Sequence, residues 1–483
     1  MSTTLLSFLL SYFFIYHTFA SAKCLQDQQS LLLQLKNNFT FDPQFSTKLK
    51  LWNENTACCN WSGVTCNNEG HVIGLDLSQE SIYGGFDDSS TLFSLQYLQK
   101  LNLAYNYFNS SIPSGFRKLA TLNYLNLSNS HVVRNIPMEI SKLTRLNFQG
   151  NQLQGPIPRS LFHCSSLEVL DIGSNQIIDH FPCFLNEIPK LSALVLRNNR
   201  FHGSIQCSEN KPWKSIQIVD IAFNNFNGKL PTQYFKTWER MIYDENVAHD
   251  INYNMSRDYP YYHDSVTVTC KGQRQDLVKI LTIFKAIDFS FNSFEGRIPL
   301  SLMDFKALYV LNFSNNGLTG EIPSSIGNMK QLESLDFSNN SLFGEIPVQL
   351  SNLSFLSYLN LSFNNLVGKI PTGTQLQSFP TSSFEGNRGL YGPPLDEIPI
   401  GETEDLHPQP ACEKLACSTE WNFLCVEFGF VFGLGMIIGP IMFWKKWRVR
   451  YWKLLDKILC RIFPWMHLEY ATKRGKTYTV LRW

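Results

Sequence analysis

Residues 305–371 repeat one string three times: FKALYVLNFSNNGLTGEIPSSIGN (305–328), MKQLESLDFSNNSLFGEIPVQLSN (329–352) and LSFLSYLNLSFNNLVGKIP (353–371). A related copy starts at Leu281, so four copies follow one another with a period of 24 residues. Such a period is typical of stacked structural repeats, because a unit this short cannot bury its apolar face alone. The stretch therefore predicts a solenoid.

One copy shows how each unit should fold. Leu311 and Phe313 alternate with polar residues, which is the period-two pattern of a strand. Asn316 carries donors and acceptors, so it can bind backbone groups where the chain leaves the strand. Gly320 permits a bend, and Pro323 fixes φ on the back of the unit, where no ladder N–H is needed. Adjacent units should pair their strands in parallel, about 4.8 Å apart.

The string resembles the plant extracellular class of leucine-rich repeat, LxxLxLxxNxLxGxIP. The resemblance implies an α/β solenoid, a right-handed superhelix with parallel β-strands on its concave face. We predict repeats one to seven in residues 71–236 and repeats eight to eleven in residues 281–372. Glu80 and Ser130 replace the asparagine of the first and third repeats. The fourth repeat is expected to be three residues short and to disturb the stacking locally.

The composition favours an extracellular protein. The 483 residues include 41 Lys and Arg against 40 Asp and Glu, and this balance gives no support to nucleic-acid binding through a basic surface. Twelve cysteines suit an oxidising compartment. Nine asparagines begin N-x-S/T sequons and are predicted glycosylation sites: Asn38, Asn60, Asn109, Asn126, Asn254, Asn312, Asn339, Asn352 and Asn360.

The chain begins with an expected export signal. Leu5–Phe19 is an apolar run, and the small residues Ala20-Ser21-Ala22 that follow are typical of a cleavage site. Residues 1–22 are therefore predicted to be a signal peptide. A retained membrane anchor is the alternative.

Residues 23–70 are predicted to form an amino-terminal cap, because a stack exposes the apolar end of its first repeat. Asp27–Asn37 has helical spacing, and the string CCNWSGVTC follows at 58–66. With Cys24 the segment has four cysteines, which allow three connectivities, and a zinc site is the alternative. The string resembles the cap of plant leucine-rich-repeat receptors and pectinase-inhibiting proteins. That resemblance implies the disulfides Cys24–Cys58 and Cys59–Cys66.

Three further cysteines lie in the repeats. Cys183 and Cys207 occupy equivalent places one repeat apart, at a separation close to the Cα window for a disulfide, and we predict that they are bonded. Cys164 holds a leucine position and is predicted to be a small buried apolar residue.

Residues 237–280 interrupt the repeats. The segment is rich in Tyr and Trp, which argues against a disordered linker, and Ser265–Cys270 has the pattern of a short strand. The string DSVTVTCKG, which runs into VKILTIFKAIDFS, resembles the island domain of plant receptor-like proteins. The resemblance implies a loop folded over the concave side that shapes ligand or co-receptor binding. A structural clasp without ligand contact is the alternative.

Residues 373–422 are predicted to form a carboxyl-terminal cap and an acidic juxtamembrane spacer. The string that begins with Phe384-Glu385-Gly386-Asn387 resembles the closing string of the family, except that Tyr391 replaces a cysteine. The usual cap disulfide therefore cannot form as in the family. Cys412 and Cys417 are a candidate pair instead.

Phe423–Trp444 is an apolar segment of 22 residues, long enough as a helix to cross a bilayer. We therefore predict one transmembrane helix. Basic residues follow it, so the short tail at 445–483 is expected in the cytosol and the chain in the plasma membrane as a single-pass type I protein. Glycines at GxxxG spacing let a second helix approach closely, and they are the predicted partner face: Gly429, Gly433, Gly435 and Gly439.

The order of these segments resembles that of plant receptor-like proteins, notably the fungal-resistance subgroup. The resemblance implies a receptor that is not an enzyme and needs no cofactor. It would bind an extracellular peptide, protein or glycan in defence and signal through an associated single-pass receptor kinase, since the tail is too short for a kinase domain. Alternatives are an inhibitor of microbial cell-wall-degrading enzymes, a signalling-dead decoy or a developmental receptor. No recurring His, Cys or carboxylate constellation points to catalysis or a metal.

Ligand contacts are expected at outward strand positions that vary between repeats two and six: Lys100, Tyr105, Tyr124, Arg145, Gln149 and Arg197. A leucine-rich-repeat co-receptor kinase is expected at the last four repeats, whose outward positions are regular: Asp288, Ser290, Asn312, Ser314, Asp336, Ser338, Asn360 and Ser362.

Overall fold

The computed structural model describes residues 24–138, 143–207, 211–242, 261–262, 266–277, 280–281, 283–373, 375–395, 467–473 and 476–482. Several predictions lie outside these residues: the signal peptide, the sequon at Asn254, the Cys412–Cys417 pair, the acidic spacer from residue 396 onward, and the segment 423–444 with its four glycines. Within the described part of the chain, no helix has the length and apolar character needed to cross a membrane.

The chain divides into two units, Met1–Ile400 and Gly401–Trp483. The described strands, in chain order, are β1 (Thr40–Phe41), β2 (Val64–Cys66), β3 (Val72–Asp76), β4 (Ile82–Gly84), β5 (Lys100–Asn102), β6 (Tyr124–Asn126), β7 (Val133–Arg134), β8 (Arg145–Asn147), β9 (Gln152–Leu153), β10 (Val169–Asp171), β11 (Ala193–Val195), β12 (His202–Gly203), β13 (Ile218–Asp220), β14 (Asn225–Lys229), β15 (Tyr261–Tyr262), β16 (Val266–Cys270), β17 (Gln273–Leu277), β18 (Ile280–Leu281), β19 (Ala286–Asp288), β20 (Ser293–Arg297), β21 (Val310–Asn312), β22 (Gly317–Gly320), β23 (Ser334–Asp336), β24 (Ser341–Glu345), β25 (Tyr358–Asn360), β26 (Asn365–Lys369), β27 (Gly389–Tyr391), β28 (His467–Lys473) and β29 (Lys476–Arg482).

The described α-helices are α1 (Gln26–Asn38), α2 (Thr232–Phe235) and α3 (Glu239–Ile242). Short 3-10 helices occupy Leu49–Leu51, Cys58–Asn60, Thr91–Ser94, Ser114–Lys118, Arg159–His163, Cys183–Glu187, Leu300–Asp304, Ser324–Asn328, Val348–Asn352, Leu376–Ser378 and Thr381–Ser383.

One sheet of twelve strands runs through the repeats. It has the order β2-β3-β5-β6-β8-β10-β11-β13-β19-β21-β23-β25. The cap strand β2 is antiparallel to β3, and each following repeat strand is parallel to its neighbour. The prediction of a solenoid with stacked parallel strands is confirmed. A second parallel sheet, β12-β14-β20-β22-β24-β26-β27, follows the first along the later repeats.

The core lies between these sheets and the 3-10 helices. The repeat at 305–328 contributes seven side chains to the main core, each at most 3% exposed: Phe305, Leu308, Leu311, Phe313, Leu318, Ile322 and Ile326. Burying one such side chain stabilises the folded state by about 1.5–3 kcal/mol. A single repeat cannot enclose these side chains, so each repeat forms its core together with its neighbours.

The inner asparagines join the repeats. The Asn340 Nδ2 donates to the carbonyls of Phe313, Phe337 and Ser338, and its Oδ1 accepts the Leu318 N–H at 3.0 Å. One amide thus satisfies backbone groups of two adjacent repeats. The ladder continues into the closing segment through Asn387, which is 6% exposed and donates to the Leu361 carbonyl.

The prediction that the fourth repeat is the short one was wrong. The register pairs Tyr124 with Arg145, which are 21 residues apart, whereas Arg145 pairs with Val169, 24 residues on. The missing residues therefore belong to the third repeat. The strands stay in parallel register across it, so the deletion does not interrupt the sheet.

The insertion leaves the stack without breaking it. β13 pairs directly with β19, Asp220 opposite Asp288, although 68 residues separate them. Trp238 stands at the start of the insertion and is 1% exposed; its ring lies parallel to that of Phe305 at a centroid distance of 5.9 Å. The aromatic side chain of Trp238 thus packs in the core of the repeats that follow the insertion.

Glu80, which departs from the repeat pattern, joins the amino-terminal cap to the first repeat. Glu80 replaces the inner asparagine, is fully buried, and accepts hydrogen bonds from the Ser46 hydroxyl and from the Lys48 and Leu49 N–H groups. Burial opposes ionisation, but the hydrogen bonds from Ser46, Leu49 and Lys48 outweigh it and lower the Glu80 pKa. The long carboxylate reaches the cap loop, which a shorter asparagine would not.

In the second unit, Gly401–Trp483, the described residues form one antiparallel hairpin, β28 with β29, in which His467 lies opposite Arg482.

Candidate functional site: the strand face and its hairpin

The surface of the twelve-stranded sheet that faces away from the core is called the strand face here. Its residues stand at the outward positions of the repeat strands. The predicted ligand residues Lys100, Tyr124 and Arg145 lie opposite one another on β5, β6 and β8. Lys100 is exposed, whereas Tyr124 and Arg145 are half-buried. Parallel strands lie about 4.8 Å apart, so the three side chains form one polar row.

The other predicted ligand residues behave differently. Tyr105 is 54% exposed, and Gln149 is half-buried. Arg145 Nη2 lies 3.5 Å from Glu168 Oε2, which adds a carboxylate to the row. The structure therefore places three of the six residues on the strand face of repeats two to four, and Tyr105 and Gln149 after the carboxyl ends of β5 and β8.

Arg197 does not belong to that surface, and its assignment as an exposed ligand contact was wrong. The side chain is only 4% exposed. Its Nη1 lies 2.5 Å from Asp220 Oδ2 and 3.8 Å from Asp288 Oδ2. The same nitrogen donates to Thr269 Oγ1 at 3.0 Å. Arg197 is buried because Thr269 belongs to the insertion, which covers it.

The covering element is the antiparallel pair β16 and β17, called the clasp hairpin here. Its Val268 and Cys270 are 3% and 8% exposed and pack on apolar outward residues of the strand face. These partners are Val169, Ala193, Val195, Ile218, Ala286 and Val310. Repeats five to nine therefore carry a second apolar surface, on the side of the sheet opposite the main core.

The tip of the clasp hairpin reaches the last repeats. The Lys271 N–H donates to Ser334 Oγ at 3.1 Å, and Lys271 Nζ lies 3.1 Å from Glu333 Oε2. Lys271 and Gly272 both have positive φ, 54° and 73°, as a two-residue type I′ turn requires. A Cβ on Gly272 would lie 2.9 Å from the Tyr358 hydroxyl, so the backbone of the tip lies directly on the eleventh repeat.

Two carboxylates share the guanidinium of Arg197. Burial and the negative charge of Asp288 together raise the pKa of Asp220 to about 7, although Arg197 opposes both effects. Burial also raises the pKa of Asp288, against the hydrogen bond from Ser290 and the charge of Arg197. One buried cation cannot neutralise two buried anions, so the pair holds a proton at pH values where an exposed aspartate has none.

The regular outward positions of the last four repeats are mostly not available to a partner. Asp288, Ser290, Asn312, Ser314, Ser338 and Ser362 are at most 8% exposed. Each serine follows an acid or amide by two positions and bonds it, as Ser338 Oγ does with Asp336 Oδ1 at 2.6 Å. The prediction that this set forms a co-receptor surface was therefore wrong for these six. Asp336 and Asn360 are half-buried.

The sequons differ in exposure. Asn38, Asn60, Asn109, Asn339 and Asn352 are exposed, and Asn126 and Asn360 are half-buried. Asn312 is 8% exposed on β21, so this structure leaves no room for an oligosaccharide on it.

Three disulfides join cysteines in the described residues: Cys24–Cys58, Cys59–Cys66 and Cys183–Cys207, with Cα separations of 5.5, 5.5 and 5.3 Å. The Sγ atoms of Cys24, Cys58 and Cys59 lie close enough for a metal, but these cysteines are oxidised and offer no thiolate. Cys164 is a thiol in the core, 1% exposed, and burial raises its pKa to about 11.

One feature of the sequence, apolar residues at outward strand positions, could have predicted that the clasp hairpin covers the strand face. Outward strand positions are polar in most repeats, yet Val169, Val195, Ile218 and Val310 are β-branched and apolar there. An apolar outward row indicates a covered strand face, just as an apolar inward row indicates a core.

The comparisons agree with this architecture. A leucine rich repeat N-terminal domain matches residues 25–67, and the leucine rich repeat model matches residues 97–119, 142–164, 307–329, 331–353 and 355–376. A plant ice-binding protein of known structure is 24% identical, with a TM-score of 0.52, over 79% of this chain and 100% of that one. At this identity the likeness shows the fold alone.

Two curated relatives come from Arabidopsis thaliana. Receptor-like protein 34 is 51% identical over 271 residues, which are 53% of this chain and 27% of the relative. Receptor-like protein 43 is 51% identical over 274 residues, 54% of this chain and 37% of the relative. The matches thus span only about a third of the length of these relatives. The chain thus contains leucine-rich repeats and is similar to plant receptor-like proteins.

Proposed function

We propose that the chain is a cell-surface receptor-like protein that binds an extracellular ligand on the open strand face of repeats two to four. The observation that supports this most is the polar row Lys100, Tyr124 and Arg145. Among the described residues, the clasp hairpin packs on the strand face from repeat five to repeat eleven, beyond this row. A binding surface on rigid strands holds its side chains in fixed positions, which favours recognition.

The proposal includes signalling in defence through a receptor kinase. The similarity to receptor-like proteins supports it, as does the apolar segment Phe423–Trp444 with its basic flank. In this proposal the protein is a single-pass plasma-membrane protein, and Gly429, Gly433, Gly435 and Gly439 contact the transmembrane helix of the kinase. It has no catalytic activity of its own. A co-receptor kinase contacts exposed residues of the last four repeats, since most of the regular outward positions are buried.

Co-purification from plant membranes tests this proposal. The full-length protein should bring down a single-pass receptor kinase, and the four glycines changed to leucine should abolish that association while the chain still reaches the cell surface. The matched control is the double substitution Val426→Leu and Val431→Leu, which also adds side-chain volume to this segment but keeps the four glycines. Retention of the kinase by the glycine variant, or inhibition of a fungal pectinase by the unmodified protein, would overturn the proposal in favour of another partner or of the inhibitor role.

A further inference from the structure

The residue before each inner asparagine has a left-handed backbone. Asn315, Asn339 and Phe363 have φ of 55°, 52° and 53°. Stacking imposes this geometry, because the N–H of each donates to a carbonyl of the next turn of the solenoid: Asn339 to Ser362 at 2.9 Å and Phe363 to Glu385 at 2.7 Å. We call these positions the edge row. Glycine and asparagine tolerate the left-handed region best.

Four turns carry an aromatic residue in the edge row instead. Tyr105, Phe223, Phe291 and Phe363 have φ between 52° and 57° and are 42–54% exposed. Phe223 and Phe291 stack on each other at a centroid distance of 4.0 Å. A bulky side chain in this backbone conformation is an outlier, and burial in the core does not compensate for it here. Such an outlier points to a function of the exposed ring.

Phe363 stands at a cleft of about 640 Å³ at the carboxyl end of the strand face. Edge-row residues Asn315 and Asn339 line the same cleft, with Tyr358, Ser382 and Glu385. The Asn339 Nδ2 donates to Asn315 Oδ1 at 2.6 Å, which links the two amides into a fixed pair. The edge row and the cleft are therefore one continuous surface.

The residues that line the cleft indicate the chemical class of its ligand. Among the described residues it offers aromatic rings, several amides and hydroxyls, one carboxylate, and no Lys, Arg or His. An anion would find no cation to pair with, and a purely apolar ligand would leave the amides and hydroxyls without partners. A sugar ring has an apolar C–H face and a rim of hydroxyls that donate and accept, which matches both components.

We propose that the cleft and the edge row bind a neutral oligosaccharide, with one ring on Phe363 and its hydroxyls on the Asn315–Asn339 amide pair. Successive edge positions recur at the strand spacing of about 4.8 Å, so an extended chain of sugars meets one edge residue after another toward Phe291. This cleft is a second site, separate from the strand face of repeats two to four; a receptor role for its sugar rests on the proposed function, but the binding itself does not require signalling.

The sugar has two possible sources. Asn339 and Asn360 line the cleft and begin sequons, so the chain's own glycan could supply the ring. A free oligosaccharide is the other source. Enzymatic removal of the N-glycans separates the two sources, and Ser341→Ala tests the Asn339 glycan alone, because it removes that sequon, keeps the Asn339 amide and leaves the Asn360 sequon in place; Ser341 is exposed on β24.

The experiment uses the full-length protein purified in detergent, before and after enzymatic removal of its N-glycans. The probes are hexamers of β-1,4-linked glucose and of β-1,4-linked N-acetylglucosamine, measured by calorimetry. The test variant is Phe363→Asn, which should fold at least as well because asparagine suits φ of 53°. His131→Asn also replaces an exposed ring by asparagine at a left-handed φ of 56°, but outside the edge row and the cleft, and is the control.

One hexamer should bind the unmodified protein, and Phe363→Asn should weaken this binding at least about tenfold while His131→Asn leaves it unchanged. If the chain's own glycan fills the cleft, the hexamer binds only after deglycosylation, or also in Ser341→Ala when that glycan is on Asn339, and Phe363 remains essential there. Equal binding by Phe363→Asn, or no binding to glycosylated or deglycosylated protein, overturns the proposal. Loss of a protein partner in Phe363→Asn without sugar binding also overturns it. Loss of kinase association with sugar binding intact rejects only the receptor role.

Discussion

Arg197 and Thr269 are 72 residues apart in the sequence, and a hydrogen bond of 3.0 Å from Nη1 to Oγ1 joins them. The same guanidinium holds Asp220 and Asp288 on the two strands that flank the insertion. The contact between the clasp hairpin and the repeats is therefore coupled to the contact between repeats seven and eight. Loosening one should loosen the other, because the three groups share a single buried cation.

Replacing Arg197 by methionine should destabilise the protein by about 3–5 kcal/mol, because two carboxylates then stay buried without their cation. Chemical denaturation at pH 7.5 measures this. Arg145→Met breaks the more exposed pair with Glu168, 3.5 Å apart, and should cost less than about 1 kcal/mol. Equal losses for the two variants would contradict the buried cluster described above.

The shared proton predicts a pH dependence of opposite sign to that of an ordinary aspartate. Asp220 has a pKa of about 7 in the folded chain against 3.8 when exposed, so between these values the folded state binds more protons than the unfolded state. The free energy of unfolding should therefore fall as pH rises from about 4 to 7. Hydrogen exchange of β16 and β17 and melting temperature should show it, and Asp220→Asn should flatten the slope. An unchanged slope would contradict the assignment.

Gly272→Ala should detach the tip of the clasp hairpin. The left-handed φ of 73° costs about 1–2 kcal/mol for a residue with a Cβ, and that atom would lie 2.9 Å from the Tyr358 hydroxyl. Gly228→Ala has φ of 74° and meets only the Ser204 Cβ at 3.3 Å, so it reports the cost of backbone strain alone. Amide exchange in β16 and β17 should accelerate more in the first variant than in the second.

Glu80→Gln should loosen the amino-terminal cap by about 1–3 kcal/mol, because an amide nitrogen would then face the N–H groups of Lys48 and Leu49. The lowered pKa of Glu80 means that its contribution is present above the usual carboxylate range and is lost as pH falls through it. Glu54→Gln changes an exposed cap residue and is the control. Thermal unfolding measures both, and a matching shift in the control would count against this role.

Glycopeptide mass spectrometry should find Asn109 and Asn352 modified and Asn312 unmodified, because only the first two are exposed. A glycan on Asn312 would mean that the strand face at β21 is open during export, before the clasp hairpin covers it.

The repeat pattern of the sequence determined the parallel strands and the stacked core of this protein. The period of 24 residues, the alternating Leu-x-Leu and the inner asparagine predict parallel strands and a stacked core, since each copy needs its neighbours to bury its apolar residues. Equivalent positions in adjacent repeats also place Cys183 next to Cys207, because stacking converts a sequence offset into a spatial distance.

What the tertiary structure alone decided is which parts of the strand face remain open. Arg197 and Lys100 look alike in the sequence, yet the first is buried and the second exposed, because a hairpin encoded some seventy residues later lies over one of them. The repeat pattern specifies contacts between neighbours in the stack, which are local. The clasp hairpin packs on repeats that are distant from it in the sequence, and the repeat period does not predict where such an inserted segment packs.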